Sequence, residues 1–352
     1  MRVLIVKVSS LGDIIHTLPA VTDAHRARRN LVFDWVVEEN FVEVPAWHPA
    51  VDRVIPVALR RWRKDLLGTW RGGEFQRFRK TLQSVDYDLV IDAQGLIKSG
   101  VISRLAQGLT IGLNNLTVRE PLATMFYNKV YSVPWTDHAV DRVRQLFARA
   151  LQHRYNKSEV DYGLDNAQFQ DKSRPEVGRS VLFLHGTTWA TKHWPQNYWR
   201  QLARLATDSD YEVLIPWGDE GEKQRAQLIA ADNPGVRMLD RLSLSGLAVE
   251  INASTGVIGV DTGLGHLATA LSKPTLSLYG PTDPDRSGTF GENQLHMSST
   301  LACAPCLKRR CSYTGPDISD KFDGQLFAVS PACYSTHQPR MVWQQFQQLV
   351  SG

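Results

Sequence analysis

Three short stretches of this chain combine hydroxyls, glycines and charges in a way that suits ligand handling. The first is Lys7-Val8-Ser9-Ser10-Leu11-Gly12-Asp13. Its small residues let backbone N–H groups approach a ligand, and the helix expected after it presents a positive N-terminal end. Asp13 reads either as a helix-capping carboxylate or as a general base held beside that end. The second stretch, Asp261-Thr262-Gly263-Leu264-Gly265-His266, suits a diphosphate, because exposed N–H groups and the helix dipole both favour an anion. It reads equally as an ordinary tight turn with His266 packed in the helix. The third is His185-Gly186-Thr187-Thr188-Trp189-Ala190-Thr191-Lys192. Its adjacent hydroxyls suit phosphate contacts, and Lys192 could neutralise a leaving diphosphate without a metal. The alternative is a surface loop with a solvated lysine. None of these stretches is a GxGxxG or a P-loop, so dinucleotide and Walker-type binding are not supported.

Other chemistry-bearing patterns are less specific. Residues 60–80 carry Arg60, Arg61, Arg63, Lys64, Arg71, Arg77, Arg79 and Lys80 against Asp65 and Glu74, with Trp62 and Trp70 interleaved. Such a patch suits acidic sugars, lipid phosphates or an anionic membrane surface, or it is a solvated helix face. No nucleic-acid fold signature accompanies it. Three DxD tripeptides begin at Asp86, Asp208 and Asp283. They precede a strand, lie in a turn and enclose a proline, so all three read as structural. Cys303, Cys306, Cys311 and Cys333 form a C-x₂-C-x₄-C pattern with a distant fourth cysteine. They read as a structural metal site, as a disulfide, or as four reduced thiols, with Lys308, Arg309 and Arg310 favouring thiolates.

Alternating strands and helices must position these groups. Arg2–Val8, Phe33–Val37, Val54–Val57 and Asp88–Asp92 read as strands, the last ending in Ala93-Gln94-Gly95, with a helix from Leu96 to about Gln107. The polar stretch from Asp161 to Arg179 reads as a linker. The pattern then restarts with strands at Ser180–Leu184, Glu212–Pro216, Gly256–Val260 and Thr275–Tyr279, and helices at Asn197–Thr207 and Met341–Val350. Every small-residue motif falls at the carboxyl end of a strand, where open α/β sheets bind ligands. Two tandem α/β domains facing across a cleft follow. The length of 352 residues agrees with that count, at about 150 residues per domain. The chain is 43% hydrophobic and 22% charged with a net charge of +4, which excludes a disordered chain and an acidic tail. No run reaches the roughly 18 apolar residues of a membrane helix, and no secretory signal is evident, so a cytoplasmic location is expected.

The segments RVLIVKVSSLGDIIHTLPAVTDA, FDWVVEE, RVIPVALRRWRK, DLVIDAQGLIKS, REPLATMFYN, TKHWP, PWGDEGE, VDTGLGHLATAL and YGPTDP occur in order over most of the chain. Together they resemble the ADP-heptose:lipopolysaccharide heptosyltransferases, glycosyltransferase family 9, and within that family the branch adding the first inner-core heptose. The resemblance implies an α/β GT-B fold of two Rossmann-like domains. It implies an acceptor domain at 1–165, a donor domain at 176–334, and a closing segment at 335–352 whose helix returns to the first domain. It implies an inverting reaction without cofactor or catalytic metal, with ADP-L-glycero-D-manno-heptose as donor and Kdo2-lipid A as acceptor. Asp13 would be the base, and Lys192 would meet the diphosphate beside Thr187 and Thr188. Glu222 would hold the ribose. Asp261, Thr262, Gly263 and His266 would line the heptose and phosphate site. Lys7, Ser9, Ser10, Arg60, Arg61, Arg63, Lys64 and Arg119 would face the acceptor. The enzyme would sit peripherally on the cytoplasmic face of the inner membrane and would not bind nucleic acid.

The cysteine tail departs from this branch and looks more like that of enzymes adding the second heptose, which is the alternative reading. An NAD-linked dehydrogenase lacks its glycine fingerprint here. A non-catalytic carbohydrate- or lipid A-binding module would not need Asp13 ionised.

Overall fold

The computed structural model describes residues 1–171 and 178–351. The linker stretch Lys172-Ser173-Arg174-Pro175 lies outside the described residues. The chain divides into two compact units, Met1–Asp165 and Asn166–Gly352.

The first unit is built on six parallel strands: β1 (Arg2–Val6), β2 (Val32–Glu38), β3 (Val51–Val57), β4 (Asp86–Asp92), β5 (Gln107–Leu113) and β6 (Lys129–Tyr131). Their order is β3-β2-β1-β4-β5-β6. β1 is buried from Val3 onward because its apolar side chains meet protein on both faces, as parallel strands require. One side of its core joins Leu4, Val6, Val36, Ile55, Trp62, Phe78 and Leu82.

The second unit repeats the plan with β7 (Ser180–Leu184), β8 (Glu212–Ile215), β9 (Val236–Met238), β10 (Gly256–Val260), β11 (Thr275–Tyr279) and β12 (Gln294–Ser298). Their order is β12-β11-β10-β7-β8-β9. Each sheet therefore has the doubly wound order, which reverses between β1 and β4 and again between β7 and β10. Ligands sit outside the strand ends at such reversals. A hairpin of β13 (Ser319–Phe322) and β14 (Gln325–Ala328) is appended to the second unit.

Two expected features differ. The stretch read as linker is ordered over its first half. Tyr162 and Phe169 are buried, and Asn252 Nδ2 donates to the carbonyls of Asn166 and Phe169 at 3.2 and 3.3 Å. The closing helix, Pro339–Ser351, belongs to the second unit, whereas the resemblance implies a return to the first domain. Its Val342, Trp343 and Phe346 enter the core formed with Trp199, Tyr211 and Leu276, and Trp343 Nε1 donates to Ser209 Oγ at 3.1 Å.

A buried ion pair ties the first unit together. Arg144, on the helix Ala139–Leu151, is fully enclosed. Its guanidinium donates to Asp23 Oδ2 at 2.6 Å and to the carbonyls of Asn156 and Glu159 at 2.8 and 2.6 Å. Asp23→Ala removes the hydrogen-bonded carboxylate of a buried charge, leaving Asp141 at 3.7 Å, and is expected to cost about 3 kcal/mol. Urea unfolding checks this. A midpoint equal to that of the native protein would contradict it.

His48 makes the first unit acid-sensitive. Its Nδ1 accepts from the Ala50 N–H at 3.1 Å, so the proton sits on Nε2, 2.9 Å from Thr22 Oγ1. That hydroxyl donates onward to the Leu18 carbonyl at 3.2 Å. Burial, then the nearby His25, push the His48 pKa down to about 4. Burial likewise holds His185 down to about 4. A lowered histidine pKa means that the unfolded chain binds the proton more readily. Stability is complete above the unfolded value near 6.5 and is lost as pH falls toward 4, on the order of 3 kcal/mol for each histidine. The urea midpoint is expected to drop between pH 7 and pH 4.5, less so in His48→Gln. A flat profile would refute the assignment.

Candidate active site

At the β1/β4 reversal, buried Lys7 donates to the Ala93 carbonyl at 2.8 Å and lies 3.8 Å from Asp13 Oδ1. Burial lowers its pKa. Asp13 and Asp92 oppose that shift, and Arg119 and Arg142 reinforce it. Asp13 stands in the first turn of the short helix Leu11–Ile15. Its Oδ2 accepts from the Ser10 backbone N–H and hydroxyl at 2.8 and 3.1 Å. One carboxylate oxygen thus closes the turn, while the other faces the lysine. The two readings of Asp13 are compatible, because a different oxygen serves each.

The loop after β4 fixes this arrangement. Gln94 Oε1 accepts from the N–H groups of Val8 and Ser9 at 3.0 and 3.1 Å. Buried Asp92 accepts from the N–H groups of Gln94 and Gly95, both at 2.9 Å, from Ser99 Oγ at 2.8 Å and from the Tyr127 hydroxyl at 2.7 Å. Burial raises the Asp92 pKa, and these bonds resist the rise. Gly95 has a φ of +70°, and a Cβ there would stand 2.8 Å from Val118, so glycine is required where the Arg119 loop crosses. Asp92, Gln94 and Tyr127 were not evident as site residues in the sequence. The only signal was the Ala93-Gln94-Gly95 ending of the strand.

The expected row of acceptor-facing cations is only partly available. Arg61 is committed to Glu39 at 3.1 Å and Glu74 at 2.8 Å. Arg60 lies over the Phe41 ring, 5.5 Å from its centroid. Arg63, Lys64 and Arg119 are exposed. Trp62 is buried and donates to Glu74 Oε2 at 2.8 Å, whereas Trp70 is exposed. A cavity of about 250 Å³ lies beside Arg61 and Trp62, with Ile55, Val57 and Phe78 among its apolar walls.

At the β7/β10 reversal, Lys192 Nζ sits 2.6 Å from Asp261 Oδ2. Thr187 Oγ1 donates to the Asp261 carbonyl at 3.2 Å, and Thr188 is exposed. Thr262 stands at the N-cap position of the helix Gly263–Ala270 with no side-chain capping bond, and the Gly265 N–H donates to its carbonyl at 3.1 Å, which leaves the N–H groups at the very start of the helix without intrahelical acceptors. His266 is buried in that helix. Glu222 Oε2 accepts from the Gly218 N–H at 2.7 Å. A Cβ at Gly186 would run into the Glu222 carboxylate, so the glycine lets the loop after β7 pass close to that acid. Lys192, Thr187, Asp261, Thr262 and Gly263 are thus brought together at one strand-end reversal.

The cysteine tail supports the same loop. Thr191 Oγ1 donates to the Lys308 carbonyl at 2.7 Å, and the Tyr334 hydroxyl donates to the Lys192 carbonyl at 2.7 Å. Arg309 and Lys192 both approach the Trp189 ring, at 5.0 and 4.7 Å from its centroid. Neither Trp189 nor Tyr334 carried a signal in the sequence. The expected bias toward thiolates fails at Cys333. Burial, then the neighbouring Cys311, Cys303 and Cys306, push its thiol up to about 12. Among the described residues, no group of three or more His, Cys, Asp or Glu side chains is placed to hold a metal ion. One residue of each DxD has a local structural role. Asp88 accepts from the Arg2 N–H at 2.7 Å, Asp210 sits in a left-handed turn, and Asp283 caps a short helix. Among the described residues, no helix is long and apolar enough to cross a membrane.

Two doubly wound units, each with polar loops at its strand reversal, place the chain in the GT-B class of glycosyltransferases. Residues 75–315 match the model of glycosyltransferase family 9 (heptosyltransferase). The chain is 51% identical over 352 residues to lipopolysaccharide heptosyltransferase 1 of Pseudomonas aeruginosa, covering 99% of this chain and 98% of that one. The solved Escherichia coli heptosyltransferase WaaC with ADP is 45% identical, with a TM-score of 0.80 over 84% of this chain and 92% of that one. The same enzyme with ADP-2-deoxy-2-fluoro heptose gives a TM-score of 0.78 at 43% identity, covering 87% and 97%. Lipopolysaccharide heptosyltransferase 2 of E. coli is only 22% identical over 314 residues, 81% of this chain and 84% of that one. The chain belongs to glycosyltransferase family 9.

Proposed function

We propose that this enzyme transfers L-glycero-D-manno-heptose from ADP-heptose to a Kdo hydroxyl of Kdo2-lipid A, working peripherally on the cytoplasmic face of the inner membrane. The observation that carries the donor half is the Lys192–Asp261 pair, 2.6 Å apart, beside the open end of the helix Gly263–Ala270. A diphosphate placed there meets one cation, the Thr187 and Thr188 hydroxyls and free N–H groups. Glu222 offers a carboxylate to the ribose hydroxyls.

In the first unit, Asp13 takes the proton of the acceptor hydroxyl. The acceptor oxygen forms its bond to the anomeric carbon as the bond to the ADP phosphate oxygen breaks, which inverts the configuration. Lys192 and the helix end take up the charge developing on the departing diphosphate, with no metal in the step. Lys7, Ser9, Ser10, Arg60, Arg63, Lys64 and Arg119 supply the polar and positive surroundings that Kdo carboxylates and lipid A phosphates need. Arg61, already held by two glutamates, contributes by fixing the helix Leu59–Trp62 beside Glu39.

The test is ADP release from ADP-heptose with Kdo2-lipid A and heptosyl-Kdo2-lipid A offered separately. Turnover with the first acceptor alone is expected. Turnover with the second alone would overturn the acceptor assignment in favour of second-heptose addition. The cysteine tail, which prompted that alternative, contacts the donor loop through Thr191 and Lys192 and so gives no support to a different acceptor.

A further inference from the structure

The first unit exposes a group of large apolar side chains that neither its core nor the site uses. Leu116 is 81% exposed, Met125 77%, Leu122 61%, and Ile97 and Val101 each 40%. Four of them lie on two touching elements, and Leu116 stands in the loop between β5 and the second of these. The helix Ile97–Leu105 packs on the 3-10 helix Pro121–Phe126 at Gly100, where a Cβ would stand 2.6 Å from the Phe126 ring. Glu120 bonds the two pieces at their start. Its Oε2 accepts from the Ile97 N–H at 2.7 Å, and its N–H donates to the Gly95 carbonyl at 3.0 Å. Ile97 and Val101 are one helical turn apart, on one side of that seam, and Leu122 and Met125 stand on the other element.

The charge in this part of the chain is mostly positive. Residues 95–131 contain Lys98, Arg104, Arg119 and Lys129, all exposed, against a single acid, Glu120, which is occupied by the Ile97 N–H. Exposed apolar side chains in a segment with four exposed cations match an anionic lipid surface, whose interior takes the chains and whose headgroups take the charge.

The location gives the patch a purpose. Tyr127, directly after the 3-10 helix, bonds Asp92 at 2.7 Å, and Arg119 acts electrostatically on Lys7. The apolar group therefore adjoins the loops that hold Asp13.

We propose that Ile97, Val101, Leu116, Leu122 and Met125 form the surface by which the first unit seats on an anionic lipid bilayer, bringing the β1/β4 site to a lipid-borne acceptor. The inference rests on the reading that the acceptor is a lipid, and it separates this apolar surface from the basic 60–64 segment that meets the acceptor headgroup.

The test is co-sedimentation with vesicles of phosphatidylethanolamine and phosphatidylglycerol, with phosphatidylcholine vesicles as control. The native protein should bind the anionic vesicles and not the neutral ones. The triple variant Leu116→Gln, Leu122→Gln, Met125→Gln should bind them at least about tenfold less well. Its turnover with a deacylated, water-soluble Kdo acceptor should be unchanged, which shows that it folds. Failure of the native protein to bind anionic vesicles overturns the proposal, as does native-like binding by the triple variant. If the substitutions dissolve a dimer and leave vesicle binding intact, the surface joins two copies of the chain and the proposal fails. Loss of vesicle binding in the variant, with no Kdo acceptor turned over by the native protein, would uphold the surface while the transferase reading falls.

Discussion

Asp13→Asn is expected to lower kcat by about 10²–10⁴-fold, the usual contribution of a positioned general base. The substitution is chosen because Asp13 has two tasks. Its Oδ2 closes the first turn by accepting from Ser10, and an asparagine carbonyl can still accept those bonds. The amide cannot take a proton from the acceptor hydroxyl. Thermal stability should therefore stay near the native value while turnover collapses. Donor affinity should also hold, because the residues proposed to bind ADP-heptose lie in the second unit. Asp13→Ala separates the tasks in the other direction, losing turnover and, in addition, about 0.5–2 kcal/mol of stability with the capping contact. Steady-state ADP release and a melting curve on both variants decide the matter. An Asp13→Asn enzyme that turns over at the native rate would reduce Asp13 to a cap and return the non-catalytic reading to contention.

Lys192→Met is expected to reduce kcat/KM for ADP-heptose by about 10²–10³-fold, the scale seen when one group stabilising developing charge is removed. Part of this loss is ground-state binding, since a charge-assisted hydrogen bond contributes about 1.5–3 kcal/mol. The remainder appears only as the diphosphate departs. The structure adds a complication that sharpens the test. Lys192 is already engaged by Asp261 at 2.6 Å, so the donor must share or displace that contact. Removing the lysine leaves a mostly enclosed carboxylate without its partner, which lowers stability and repels phosphate. The double variant Lys192→Met, Asp261→Asn should regain stability relative to the single one and remain inactive. Calorimetric titration of ADP, together with turnover, distinguishes these effects. Native ADP affinity and native turnover in Lys192→Met would remove the lysine from the mechanism.

Much of this organisation is legible in the sequence, and the gaps have physical causes. β1, β4, β7 and β10 are continuous apolar runs ending in small polar residues, so both reversals could be anticipated with their loops. β5 was not evident, because Gly108 and Gly112 interrupt its pattern. In the structure Gly112 is where the Tyr127 ring lies against the strand, and Gly108, at a φ of +152°, passes close to the Tyr87 carbonyl. The short strands β6 and β9 have three residues each, too few for a period to register. Arg61 looked like an available cation because its neighbours in sequence are basic. Its partners, Glu39 and Glu74, are 22 and 13 residues away. Arg144 gave no sign of its burial, since helical spacing does not reveal that a charge has found Asp23 at a separation of 121 residues. The role of Gln94 is hidden for the same reason, as its bonds to Val8 and Ser9 cross 86 and 85 residues.

The contacts of the cysteine tail couple it to the loop that follows β7. Lys308, Arg309 and Tyr334 bond or stack on Thr191, Trp189 and Lys192, so a segment carrying four thiols is packed against the loop proposed to meet the diphosphate. Linkage is reciprocal: whatever ligand orders the loop must shield the tail by the same factor that tail chemistry weakens the ligand. Saturating ADP should slow alkylation of exposed Cys303 and Cys311, and alkylated enzyme should bind ADP correspondingly less tightly. Equal ADP affinity of the alkylated and the native enzyme would show the two segments to be energetically independent. If they are coupled, the oxidation state of the tail becomes a setting on how tightly the enzyme holds its sugar nucleotide.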